Sequence, residues 1–133
     1  MIVHNTHGKV QRQLSAEDRV NLDAGLPLKP KGKGGSAADQ VKGNETNRIS
    51  ASASKDPRVI DKFDSRNGRA EIDVDEAIKG GAGFVDNNNV LQSVRREGLP
   101  GRDLRNATEQ VEVQFIGEIP NSAIISIDGV PRN

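Results

Sequence analysis

Val111-Glu112-Val113-Gln114-Phe115-Ile116-Gly117-Glu118-Ile119-Pro120-Asn121-Ser122-Ala123-Ile124-Ile125-Ser126-Ile127 carries the strongest structural signal in the chain. Val111, Val113 and Phe115 alternate with Glu112 and Gln114, the period of a strand with one buried face. Pro120-Asn121-Ser122 reads as a turn, and Ala123–Ile127 as the returning strand. The expectation is a β-hairpin ended by Asp128-Gly129, with Phe115, Ile125 and Ile127 in the core.

Upstream of it, Val90, Leu91 and Val94 form an apolar stripe at helical spacing. Asn87, Asn88 and Asn89 precede the stripe and offer N-cap oxygens. Gly98 suits the left-handed position after the helix, Leu99 can fold back on Leu91 and Val94, and Pro100 stops the chain. A second short helix is expected around 102–110. Before these, Arg58–Phe63 and Ala70–Val74 flank Asn67-Gly68 and read as another hairpin. Asp75–Lys79 follows as one helical turn capped by Asp75 and closed by Gly80-Gly81.

Residues 58–133 are therefore expected to form a small α+β domain of β-hairpins plus one or two short helices. Residues 1–57 read differently. Ser15-Ala16-Glu17-Asp18 is a capping signal, and Gly25 and Pro27 end a helix at about 15–24. Leu28-Lys29-Pro30-Lys31-Gly32-Lys33-Gly34-Gly35-Ser36 has linker chemistry, and the stretch to Ser54 is small and polar. The expectation is an extended polar N-terminal arm with one short helix, in which residues 26–54 make few contacts with the C-terminal domain. A helix that short does not persist alone in water. Leu14, Val20, Leu22 and Leu26 are accordingly candidate partner-binding residues.

Composition narrows the function classes. The chain has 133 residues, 33% hydrophobic and 2% aromatic, with 19 basic and 19 acidic side chains and no Cys. Disulfides, thiol nucleophiles, iron–sulfur clusters and Cys-ligated zinc need Cys. No apolar run is long enough to span a membrane, and the start does not read as a cleavable secretory signal. The charge divides as +3 over residues 1–57 and −3 over 58–133, with Lys prevailing in the first and Arg in the second.

No motif assembles a catalytic constellation. His4 and His7 have metal-ligand spacing without a third ligand. Asp73, Asp75 and Glu76 are an acidic cluster whose weak functional form is a magnesium-dependent site. Asp86–Asn89 reads as a helix cap and departs from the calcium-loop pattern. Gly32–Ser36 lacks Walker spacing and Gly80–Gly83 lacks the dinucleotide fingerprint. Lys29, Lys31, Lys33, Arg95, Arg96, Arg102 and Arg105 are candidate phosphate or salt-bridge contacts.

These readings lead to an expectation of a non-enzymatic structural or interaction protein with no cofactor and no small-molecule substrate. It would order on protein subunits of a large assembly, most naturally as a minor bacteriophage virion protein: a capsid or tail decoration, cement or adaptor. The location implied is the virion or cytoplasm, with no membrane contact. The alternative is a nucleic-acid-binding accessory protein using the Lys-rich linker and the Arg-rich helix.

Overall fold

A computed structural model describes residues 8–54, 56–60 and 66–132. The strands are β1 (Lys9–Gln13), β2 (Arg48–Ser52), β3 (Arg69–Asp73), β4 (Gly83–Val85), β5 (Glu112–Ile116), β6 (Ile124–Ile127) and β7 (Val130–Pro131). They form one antiparallel sheet in the order β4-β5-β2-β1-β3-β6-β7. The helices are α1 (Ala16–Asp23), α2 (Ala37–Val41), α3 (Pro57–Ile60), α4 (Val74–Lys79), α5 (Asn87–Arg96) and α6 (Gly101–Glu109). The architecture is thus mixed α+β.

Alternation within the strands sorts the two faces of the sheet. Val10, Ile49, Ala51, Ala70, Ile72, Val113 and Phe115 point to one face and are buried there. Leu22 of α1, Val74 and Ala77 of α4, and Leu14, Leu28 and Ile119 cover them. Phe115 lies opposite Ile49 on one side and Phe84 on the other, its ring centroid 5.4 Å from that of Phe84. The opposite face is polar, with Gln11, Ser50, Ser52, Glu71, Glu112 and Gln114. Its β4–β5 end is capped by a smaller cluster in which Val90, Leu91 and Ala107 pack with Val41, Val85 and Leu104.

The local signals act as expected. Ser15 caps α1 in a reciprocal box with Asp18. At the end of α5, Gly98 takes φ 64°, and the Gly98 and Leu99 N–H groups donate to Arg95 and Val94. That is the expected Schellman ending. Leu91 and Val94 are buried, as is Phe115. Two caps shift by a residue or two: Asp86 caps α5, and Asp73 rather than Asp75 caps α4.

Pairing differs from the local reading. β5 and β6 do not form a hairpin, because β2, β1 and β3 lie between them. The connection after Gly117 is anchored instead by a bridge between Leu28 and Ile119, then by a 3-10 turn at Asn121–Ala123. The two-residue hairpin is β6–β7, where Asp128 at φ 53° and Gly129 at φ 78° supply the left-handed turn that twisted strands need. Residues 57–60 are helical, so the strand expected over Arg58–Phe63 is replaced at its start, and residues 61–65 lie outside the described residues. β3 pairs with β1 and β6.

The core expectation for Ile125 and Ile127 is corrected by a bulge. Ala70 faces Ile127 and Ile72 faces Ile124, so one extra residue enters β6 between them. The bulge puts Ile124 and Ile127, three residues apart, on the buried face. Ile124 is buried, Ile127 packs partly against the core, and Ile125 is only half-buried.

The expectation that residues 26–54 make few contacts with the rest is also corrected. Leu28 is fully buried, β2 pairs with β5 along five residues, and β1 pairs with β3 along five. β2 and β1, from before the expected boundary at 57/58, therefore lie side by side in one sheet between β5 and β3 from after it. The polar, glycine-rich stretch orders through main-chain bonds: Gly32 donates to Thr46, and Asn47 donates to Gly34. A Cβ on Gly32 would lie 2.6 Å from the Glu45 carbonyl oxygen, so only glycine permits this approach. Ala37, Ala38 and Ala51 are buried, and small residues suit a strand pressed closely under a helix.

Candidate functional site

The central ladder is interrupted between β1 and β2. These neighbours share one Cα register pair, Gln11 with Ser52, whereas each has five with its other neighbour. Where they diverge, the Arg12 guanidinium spans the gap. Its Nη1 donates to the Ser50 carbonyl at 2.7 Å, and its Nε and Nη2 reach Asp18 at 3.1 and 3.0 Å. Asp18 is buried and also accepts from the Ser15 N–H, so the cap of α1 fixes the clasp across the split.

On the polar face a cavity of about 160 Å³ opens over this split. Gln11, Ser50, Ser52, Gln110 and Glu112 line it, and Val59 of α3 closes one side. The Glu112 carboxylate accepts from the Gln114 amide at 2.7 Å and the Ser50 hydroxyl at 3.3 Å. Burial pushes its pKa up, against the lowering effect of these two bonds. Ser50 accepts in turn from Gln40, and Gln40 from Thr46. Gln114, fully buried, also donates to the Ala37 carbonyl and accepts from Arg48. Asn87 donates to the carbonyls of Ala107 and Glu112, which locks α5 and α6 to the start of β5. Glu112 is thus a part-desolvated carboxyl on a rigid strand, held by a hydrogen-bonded network and facing a cavity. Perturbed groups of this kind gather at functional sites.

The raised pKa gives a pH prediction. Glu112 holds its proton more tightly in the folded chain than in the unfolded one. Its stabilising contribution is complete below the ordinary carboxyl value of 4.5 and is lost as pH rises through the raised folded value. Urea melts at a series of pH values should show Glu112→Gln gaining stability relative to the parent across that window. A constant difference at every pH would remove the desolvation argument.

The residues singled out in the sequence distribute unevenly. Leu14 and Leu22 belong to the protein's own core, which corrects their placement on a partner surface. Val20 and Leu26 are 68% and 44% exposed. Lys29 and Lys31 line a second cavity, and Lys33 is not among its lining residues. Arg95, Arg96, Arg102 and Arg105 are all exposed around the α5–α6 junction. Asp73 accepts from the Glu76 N–H as a cap, and Glu76 sits 3.6 Å from Lys79. Among the described residues no group of three His, Asp or Glu side chains has metal-binding geometry. His4 and His7 lie outside the described residues. Among those residues no helix is long and apolar enough to cross a membrane.

Sequence reasoning passed over Arg12, Ser50, Ser52 and Glu112. Their only local mark is polar alternation along a strand, which is equally the mark of a solvated face. The chain matches no known family model and no curated protein.

Proposed function

We propose that this chain is an enzyme whose site is the split between β1 and β2. Its substrate is a small hydroxylated ligand of the glycoside or nucleoside class, and Glu112 is the acting carboxylate. The observation that carries this reading is the part-buried Glu112 carboxyl opening on a cavity where the central ladder is interrupted. Diverging strands leave main-chain donors and acceptors for a ligand that neighbouring strands would otherwise consume. Gln11, Gln110, Ser50 and Ser52 add amide and hydroxyl groups suited to a sugar's hydroxyls. A carboxylate in such a place can stabilise the positive charge that develops on a sugar ring as its glycosidic bond breaks, or move a proton.

The test is a panel of ribosides, nucleotides, dinucleotides and hexosides, followed by chromatography for cleavage and by NMR for binding. Glu112→Gln should keep the fold and lower turnover by about 10²–10⁴-fold, the usual weight of a positioned acid or base. A panel left wholly intact and unbound would overturn the reading.

A second reading keeps the protein as a non-enzymatic component of a large assembly, such as a bacteriophage virion. The exposure of Val20 and Leu26 on and just after α1 supports it. Removing residues 1–26 would delete β1, so the clean test is the double variant Val20→Asp, Leu26→Asp. Undiminished occupancy of that variant in purified particles would end this reading.

A further inference from the structure

A larger cavity, about 280 Å³, lies toward the beginning of β2, and Arg12 lines both it and the cavity beside Glu112. Its walls bring together Lys29 and Lys31, Arg48, and the acids Glu17 and Glu45. Leu28 is pinned by its bridge to Ile119, which fixes the start of the segment carrying both lysines. Lys29 and Lys31 are exposed, and neither has a carboxylate partner among the described residues. Arg12, which lines the cavity, keeps 20% of its side chain exposed. Three of its five N–H groups are engaged by Asp18 and the Ser50 carbonyl, which leaves two. Arg12, Lys29, Lys31 and Arg48 set four positive charges against the negative charges of Glu17, Asp18 and Glu45, so the lining is net positive by one.

We propose that this cavity binds a phosphate-bearing ligand. The phosphate meets Lys29, Lys31 and the free N–H groups of Arg12, because an anion on several ammonium and guanidinium donors makes the strong, charge-assisted class of hydrogen bond. Glu17 and Glu45 can accept hydroxyl donors from an organic part of the ligand. Such a site stands whether or not Glu112 catalyses a reaction.

Calorimetric titration of the full chain with inorganic phosphate, ribose 5-phosphate and ribose tests it. Saturable phosphate-dependent binding is expected. It should weaken at least about ten-fold in the double variant Lys29→Ala, Lys31→Ala, since both charge-assisted bonds from the lysines are lost. Lys33→Ala, outside the cavity lining, should bind as the parent does, and the double Arg replacement of Lys29 and Lys31 should restore affinity. Both lysines are exposed, so circular dichroism of the alanine variant should match the parent. Tighter binding of ribose 5-phosphate than of phosphate identifies an organic phosphate, and equal binding identifies the bare anion; either upholds a phosphate site. Ribose binding as tightly as its phosphate, no saturable phosphate binding, or binding indifferent to the two lysines overturns the proposal.

Discussion

Phe115→Ala should lower the melting temperature by about 15 °C and leave the chain largely unfolded in mild denaturant. Phe115 is fully exposed to no solvent at all: it sits in the core between Ile49 and Phe84, one strand away on either side. Truncating a buried Phe costs about 3–5 kcal/mol in lost transfer energy and cavity formation. Its tilted ring contact with Phe84 adds to that cost. Domains of this size hold about 5–15 kcal/mol in total, and each kcal/mol shifts the midpoint by roughly 4 °C. Differential scanning calorimetry measures the effect directly. A midpoint within a few degrees of the parent would mean that Phe115 is not the centre of the core.

Asp18→Ala should cost about 3 kcal/mol. One carboxylate serves two ends: the Ser15 N–H in the cap of α1, and the Arg12 guanidinium that bridges the split. Loss of a cap alone costs about 1 kcal/mol. Breaking one member of a buried ion pair costs about 3–5 kcal/mol, because the remaining charge is left uncompensated. Arg12 keeps some solvent contact, which moderates the second figure. Arg12→Met, Asp18→Ala together should recover part of the loss, since no lone charge remains. Chemical denaturation of the single and double variants decides it. A single variant as stable as the parent would show that the clasp holds nothing together.

The elements that could be read from sequence are those whose partners are near in the chain. Ser15 finds Asp18 three residues on, and Gly98 finds Arg95, so both helix ends were visible in a short window. Strand pairing was not visible, because Ile49 meets Phe115 and Val10 meets Ile72 across more than sixty residues. The apolar runs of β5 and β6 were legible, but nothing local says that three other strands come between them. The bulge in β6 is a second such case: it appears only once Ile72 is placed opposite. The low apolar content before residue 54 misled for a physical reason. Alanine and serine each bury little apolar area, yet in β2 and α2 alanine allows close packing and Ser50 joins a polar network. The candidate site was illegible on the same grounds, since β1, β2 and β5 each contribute one part of it.

The strand order has a consequence for synthesis. β1 is made first, but its partners β2 and β3 end at residues 52 and 73, and the outer partner of β2 ends at residue 116. At roughly 5–20 residues per second, β1 waits several seconds on the ribosome for β3, and β2 about as long for β5. Core residues Val10, Leu14 and Leu22 therefore emerge well before anything can cover them. A nascent chain stopped before β5 would lack the strand that carries Phe115, and should remain open to protease and chaperone until β5 has left the exit tunnel.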